Sequence, residues 1–342
     1  MNIYDIAKLS GVSIATVSRV LNNKPGVSES ARNKVIQVIE ETKFVPNQLA
    51  ISLANQKSYV IGIVMPGINH YFSRRVDAIN RVCKELGYSI MITANYKHSN
   101  STKDDLENFN LLIEKRVDGI IYFPTHVSGA HIELIERIKN QIPIVITDSN
   151  IEQLKLPCVI QDSVKPTKDI MEYLLNGGHK DIGFINGISY DQVNKLRFDA
   201  YKDCLESRGL SVDESFIEIG DYSLQSGYEA MKRLLAKTVK NEKCQLTAVF
   251  AANDNMAMGA IRAIKDEGLE VPDNISVIGY DGIEFGQYYS PQLTTVRVDQ
   301  YKLGKLAADM IIELIESHHV RQDHIVMDYE IVYGESSRKL ND

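Results

Sequence analysis

The sequence predicts an α/β protein with two parts. A small helix-turn-helix head opens the chain, and a larger body of two subdomains, each built on an open parallel sheet, follows it. Three observations carry this expectation. Residues 3–42 hold three stretches with apolar positions at helical spacing. From Tyr59 onward, short apolar runs alternate with amphipathic helical stretches. The charge also divides: residues 1–57 hold seven Lys/Arg against four Asp/Glu, a surplus of +3, whereas the whole chain is −7, so the other 285 residues carry −10. A basic cap on an acidic body points one end of the molecule at a polyanion.

Composition narrows the classes. At 342 residues the chain is too long for one ordinary core and predicts more than one domain. Hydrophobic content of 44% and charged content of 24% suit a soluble globular protein. No apolar run reaches the roughly 18 residues of a membrane span. Asp5 and Lys8 interrupt the first stretch, so it is not read as a signal peptide, and a cytoplasmic protein without membrane contact is expected. Cys83, Cys158, Cys204 and Cys244 are scattered without C-x-x-C spacing and are expected as small buried hydrophobes rather than disulfides. No metal-ligand spacing, nucleotide-binding glycine loop or nucleophile–base pattern stands in the chain. His318-His319 is read as a solvated pair near a helix end. No metal, no cofactor and no enzymatic activity are therefore expected.

In the head, the first helix is expected over Ile3–Ser10, with Ile6 and Leu9 on its apolar face and Ala7 at a close crossing. Gly11 supplies the turn, and Ser13 caps the second helix. Val17, Val20 and Leu21 face the core. A third helix fits Ser28 to Thr42, with Ala31, Val35, Val38 and Ile39 on the 3.6-residue period and Glu29 at its positive end. The outer side of the second helix carries Ile14, Ala15, Thr16, Ser18 and Arg19, types that can meet thymine methyls, base edges and phosphates in a major groove. Ser13, Thr16, Ser18, Asn22 and Asn23 suit phosphates or base edges. The bland alternative is a helical hairpin with an ordinary solvent face. The segment Phe44–Ala54, opened by Pro46, is helix-capable but too short to be stable alone, so it is expected to fold on DNA. Asn47, Leu53 and Ala54 are its candidate contacts, and residues 56–58 form a joint.

In the body, strands are expected at Val60–Met65, Ser89–Thr93, Gly119–Phe123, Ile142–Thr147, Cys158–Gln161, Asp181–Ile185, Ala248–Ala251 and Ser276–Tyr280, with a strand-like run at His324–Tyr333. Helices fit Phe72–Leu86, Thr102–Lys115, Val164–Asn176, Asn194–Arg208, Ser223–Lys237, Asn255–Glu267 and Asp299–Ser317. A single barrel needs one closed ring; the irregular run from Pro272 to Val298 favours two open sheets with a cleft between them. Ligands of open α/β sheets lie beyond the carboxyl ends of strands. There stand His70, Tyr71, Asp148, Asn253, Asp254 and Asp281, with Arg197 opening one helix and Tyr222 another. Carboxylates, an arginine, an amide and an aromatic face suit a polyol such as a sugar. Taken singly, each reads as a cap or a loop bond; Asp254 reads as the cap of its helix.

The stretches IYDIAKLSGVSIATVSRVLNN, VPNQLAISLA, VDGIIYFP, GHKDIGFING, VFAANDNMAMGAIRAIKDEGLEVPDNISVIGYD and PQLTTVRVD closely resemble the LacI/GalR family of bacterial transcriptional regulators, over essentially the whole chain. The resemblance implies a body like the periplasmic sugar-binding proteins and a homodimer bound to a pseudo-palindromic double-stranded DNA operator. It implies a DNA-binding domain over 1–45, a hinge helix and linker over 46–58, one subdomain of 59–161 plus 291–321 and a second of 162–290 plus 322–340, with crossings near Gln161, Ser290 and Arg321. Ile14, Ala15 and Arg19 match base-reading positions. Leu53 matches a leucine wedged into the minor groove, where unstacking is offset by a better wrapped duplex. Asp148, Arg197, Asn253 and Asp281 match effector contacts, and Tyr222 matches an aromatic one. There are departures: Asn69-His70-Tyr71-Phe72 lacks the usual proline, Ser149-Asn150 follows Asp148 where many sugar-responsive members carry arginine, and Gly282 replaces a frequent aspartate. The chain ends without leucine heptads, which favours a dimer over a tetramer.

Function is thus expected as a ligand-controlled repressor whose small polar effector, a sugar or sugar derivative, sits in the cleft. One alternative is a catabolite-control type of regulator with a phosphorylated carrier protein as corepressor. Ile14-Ala15 resembles that branch, and Arg74-Arg75 offers either a basic docking face or an ordinary solvated one. A second alternative is a sugar-binding module without DNA function.

Overall fold

The computed structural model describes residues 1–21, 24–44, 57–68, 70–95, 102–124, 126–149, 151–189, 191–240 and 243–340. It divides into a head, residues 1–59, and a body, residues 60–342. The head contains α1 (Ile3–Ser10), α2 (Ile14–Leu21) and α3 (Glu29–Thr42). Asn2 opens α1 with a capping box: its side chain accepts from the N–H groups of Tyr4 and Asp5, and Asp5 accepts from the Asn2 N–H. Gly11 closes α1 with φ 66°, a conformation that costs glycine nothing. The Ser13 hydroxyl accepts the Thr16 N–H at 3.1 Å and so starts α2, and Ser28 does the same for α3 through Ala31.

Ile6, Ala7, Val17, Val20 and Val35 form the head's core, with Ile3, Leu21, Val38 and Ile39 packed around it. The expected Ile6–Leu9 face needs correction. Leu9 is exposed, and the buried stripe of α1 is Ile6, Ala7 and Ser10. Ser10 belongs inside because its hydroxyl donates back to the Ile6 carbonyl at 2.6 Å.

The body begins with β1 (Val60–Met65), α4 (His70–Glu85), β2 (Ser89–Ala94), α5 (Thr102–Glu114), β3 (Gly119–Tyr122), α6 (Gly129–Lys139), β4 (Ile144–Thr147) and β5 (Cys158–Gln161). It continues with α7 (Val164–Asn176), β6 (Ile182–Asn186), α8 (Gln192–Ser207), β7 (Ile217–Ile219), α9 (Leu224–Thr238) and a small hairpin, β8 (Val239–Lys240) with β9 (Lys243–Cys244). Then come β10 (Ala248–Ala251), α10 (Asp254–Asp266), β11 (Ser276–Asp281), α11 (Glu284–Tyr288), β12 (Thr294–Val298), α12 (Gln300–Ser317), β13 (His324–Met327) and β14 (Tyr329–Val332).

Two six-stranded open sheets result, in the orders β13-β5-β4-β3-β1-β2 and β14-β12-β11-β10-β6-β7. The first is parallel throughout. The second is parallel except for β14, which runs antiparallel to β12. Strands covered on both faces read as unbroken apolar runs: β3, β4 and β10 are buried at every position. Each sheet carries its own core, one centred on Val64, Phe109, Tyr122 and Ile146, the other on Phe184, Leu234, Phe250 and Ile278.

The chain passes between the sheets at Asp162, at Asp299 and at Asp328. The first crossing stands where it was expected. The other two fall nine and seven residues beyond Ser290 and Arg321, so residues 291–298 and 322–327 exchange subdomains relative to the expected boundaries. Thr294–Val298 escaped notice inside an irregular run, yet it is a buried, β-branched strand of the second sheet. The strand-like run at 324–333 is two strands, one in each sheet. Cys83, Cys158 and Cys204 are buried free thiols, Cys244 is half-buried, and His318 and His319 are exposed.

Candidate ligand cleft and DNA-reading helix

A cavity of about 430 Å3 opens between the two lobes of the body. Its wall on the first lobe is a closed polar network. Asp148 follows β4 with φ 64°, a left-handed conformation unusual for a residue with a side chain. Its carboxylate takes both guanidinium nitrogens of Arg75, one of them across 3.2 Å. It also takes the Gln161 amide at 3.1 Å. Arg75 donates further to Thr147 and Gln300 and lies against the paired rings of Phe72 and Phe123, 5.3 and 5.0 Å from their centroids. The Tyr71 hydroxyl accepts from Gln161 and Gln300 at 2.9 and 3.2 Å. Burial, with Asp281 and Asp148 nearby, pushes its pKa far above the usual phenol range.

Arg75 overturns one expectation. It is fully buried, so Arg74-Arg75 cannot act as a paired basic surface. With Ala78, Ile79 and Val82 it lies on the buried stripe of α4, where a charge is tolerated only when paired and hydrogen-bonded.

The wall on the second lobe is less complete. Arg197 sits within α8 rather than at its start. Its Nη1 donates to the Ala252 carbonyl at 2.6 Å, and its guanidinium lies 3.6 Å from the Tyr280 centroid. Its Nε has no hydrogen-bond partner among the described residues, and Nη2 is 4.0 Å from Asp281. Asp281 ends β11 with φ 116°. Burial raises its pKa well above the usual carboxylate range; Arg197 opposes this, and Asp254 and Asp148 add to it. Asp254 is pushed up to about 7 by burial, against the pull of its bonds from the Thr295 hydroxyl and the Ile283 N–H.

Asp254 is not the cap of its helix. Asn253 is, accepting the Met256 N–H at 2.9 Å; Asp254 is the first helical residue and turns inward to Thr295. The Asn253 amide nitrogen donates to the Tyr222 carbonyl at 3.1 Å. Tyr222 precedes α9 with φ 69° and donates its hydroxyl to Asp191 at 2.6 Å. Its ring lies on Gly187, where a Cβ would collide with it. Gly282 is fixed in the same way: with φ 69° and the Arg297 side chain against it, no aspartate fits.

Tyr71, Asp148, Arg197, Tyr222, Asn253 and Asp281 thus line one cavity. His70 does not line it. It lies in an adjoining groove with Arg74, Arg297 and Glu330, its ring 5.3 Å from Phe285. The cavity also takes Phe72, Gln161, Asp191, Asp221 and Asn255, which sequence reasoning missed. Gln161 ends β5 and Asp191 caps α8; both positions, a strand's carboxyl end and a helix cap, were available as signals. Among the described residues, no group of His, Cys, Asp and Glu could hold a metal ion, and no helix is long and apolar enough to cross a membrane.

In the head, α2 presents Ser13, Ile14, Ala15 and Arg19 to solvent, with Thr16 and Ser18 half-buried beside them. Val17 and Val20 hold the opposite face in the core. Asn22, Asn47, Leu53 and Ala54 lie outside the described residues.

Residues 2–47 match the family model for bacterial regulatory proteins of the lacI family, and residues 171–337 match that of the periplasmic binding protein-like domain. A probable transcriptional repressor, ExuR, of Bacillus subtilis (strain 168) is 34% identical over 99% of both chains. The chain belongs to the LacI family. Catabolite control protein A of Priestia megaterium is 32% identical to this LacI-family chain over 99% of each. A lac repressor dimer, solved on its operator with the anti-inducer ONPF, covers 99% of both chains with a TM-score of 0.88 and 28% identity. The protein is accordingly a DNA-binding regulator of transcription with an effector-binding type of body. The curated relatives named here are regulators rather than enzymes.

Proposed function

We propose that this LacI-family regulator is a repressor that reads a pseudo-palindromic operator as a homodimer. A small polar ligand, a sugar or sugar derivative held between the lobes, controls its DNA affinity. The convergence of Asp148, Arg197, Tyr222, Asn253 and Asp281 from two lobes on one cavity carries this reading. Such a ligand gains contacts only where both walls reach it, so its binding favours one lobe arrangement over another. The operator-bound lac repressor dimer, similar over the full length, supports the same mode of assembly.

In the head, Arg19 and Ile14 meet base edges, while Ser13, Thr16 and Ser18 fix the register on phosphates. Leu53 in the linker segment, with Asn47, Asn22 and Ala54, completes the interface. Lobe movement reaches the heads through residues 46–58. To take the operator from nearly full to nearly empty, the ligand must distinguish the two states by about 5.5 kcal/mol. The phosphoprotein-corepressor alternative rests on the likeness to catabolite control protein A, with Arg74 alone left of its basic pair.

The test is fluorescence anisotropy on palindromic duplexes selected from a random pool, against shuffled duplexes, with and without sugars. Arg19→Ala is expected to cost about 1–3 kcal/mol of discrimination between the two duplexes. An equal loss on both would make Arg19 a phosphate contact.

A further inference from the structure

We infer that Asp191 selects the chemical class of the effector: it fixes the Tyr222 ring as one wall of the cleft and places a negative charge there that turns away anionic ligands in favour of an uncharged polyhydroxyl compound. The inference rests on the reading of the cavity as the effector site and deepens it.

Two sets of contacts place Asp191. Its Oδ1 accepts the N–H groups of Val193 and Asn194 at 2.9 and 3.4 Å, which makes it the cap of α8. Its Oδ2 accepts the Tyr222 hydroxyl at 2.6 Å. The other anchor of Tyr222 is its own backbone, held at φ 69° with its carbonyl bonded to Asn253. A bulky residue keeps such a conformation only where its surroundings over-determine it. Asp191, Asn253 and the bare backbone of Gly187 together do so, and the ring is offered to the cavity as a rigid apolar plate.

The charge is the second part. Asp148, Asp191, Asp221 and Asp281 line the cavity, and Arg197 is the lysine-or-arginine side chain among its lining residues. Arg75 stands behind Asp148 and is bound to it. Burial raises the Asp191 pKa, opposed by the Tyr222 hydroxyl, Arg197 and the two helix N–H groups; the three donors that converge on its two oxygens suit a carboxylate. A phosphate or carboxylate in this cavity therefore meets Asp191 and Asp221, while Asp148 is already paired with Arg75 and the one lining guanidinium already faces Asp281. Hydroxyl groups meet acceptors on the carboxylates and the Arg197 guanidinium at the cavity wall, and a sugar's C–H face meets the ring.

The experiment is isothermal titration of the full-length protein with four neutral sugars (glucose, galactose, maltose and cellobiose) and with glucose 6-phosphate and galacturonate. A neutral sugar is expected to bind, with its charged counterpart at least about tenfold weaker. In D191N the asparagine still caps α8, so the unfolding temperature is expected to hold while the gap between neutral and charged ligands closes by about fivefold or more. Tyr222→Phe is expected to weaken the neutral and charged ligands alike and so leave the gap intact, which separates the wall from the charge. If D191N lowers the unfolding temperature, D191S, which also caps, carries the same readout. A charged counterpart that binds wild type as tightly as its neutral parent overturns the inference, and so does a gap unchanged in a stably folded Asp191 variant. Binding by neither class removes the sugar reading of the cleft itself and the inference with it.

Discussion

The two walls of the cleft hold similar residues in opposite states. On the first lobe, Asp148 is saturated: Arg75 and Gln161 fill its carboxylate, and Gln300 and Tyr71 close the ring behind it. On the second, Arg197 keeps an unbonded Nε and only a distant carboxylate. One wall is a finished scaffold, and the other has bonding capacity still to be met. A saturated network contributes rigidity; an unsatisfied buried donor is a standing cost that a rearrangement of its wall can relieve. The wall with spare capacity is the one that gains by such a rearrangement.

That contrast predicts a sharp asymmetry between the walls. Arg75→Ala removes a fully buried cation and leaves Asp148 inside without its partner. The expected loss is about 3–5 kcal/mol of stability by denaturant unfolding. Arg75→Met combined with Asp148→Asn should recover most of it, because both charges then leave together. A small loss in the single variant would mean that water reaches Asp148 and that this wall is open. Asp281→Ala acts on the other wall. It should weaken the effector by about tenfold to a hundredfold, the worth of a hydrogen bond to a charged group, while leaving ligand-free operator binding unchanged. If Asp281→Ala still responds fully to ligand, Asp281 belongs to the scaffold and the contrast fails.

The third effect comes from pH. The folded-state pKa of Asp254 is pushed up to about 7 by burial, above the ordinary aspartate value near 4. Between those values the folded chain holds a proton that the unfolded chain has lost. Its contribution is fully present below about pH 4 and is lost as pH rises to about 7, at up to about 1.4 kcal/mol per pH unit for one full proton. Asp254→Asn keeps a donor for Thr295 and an acceptor for the Ile283 N–H, so it should flatten that slope in unfolding curves taken from pH 4 to 8. An unchanged slope would assign the proton to Asp281 or to another group.

Much of this architecture was legible because helices and covered strands announce themselves. β1, β5 and β10 fall where apolar runs placed them, and α1 and α7 match to the residue. What hid was physically quieter. β7 is three residues long with Glu218 at its centre, buried under the cations Arg233 and Lys237, so it breaks the apolar pattern. Aspartates mark the first two crossings: Asp162 accepts the Val164 N–H and Asp299 accepts that of Lys302, each opening the helix that enters the other lobe; the second was nonetheless misplaced, because the strand before it lay inside an irregular run. Arg75 was read with its neighbour Arg74 as surface charge, yet its spacing to Ala78, Ile79 and Val82 puts it on the buried face of α4. No pattern could show the left-handed backbones of Asp148, Tyr222 and Asp281, which only long-range packing imposes.

The last crossing limits how the body can move. Met327 ends a strand in one sheet and Tyr329 begins a strand in the other, so Asp328 alone joins them. The two strands are zipped into separate ladders up to that residue. Sliding one lobe along the other would tear hydrogen bonds on both sides of it, whereas bending needs only backbone torsions at Asp328 and at the other two crossings, Asp162 and Asp299. The axis of bending therefore passes close to this aspartate, and travel grows with distance from it. A change of a few degrees there grows toward the far rim, which makes the body a lever whose fulcrum is three short crossings, the last of them one amino acid wide.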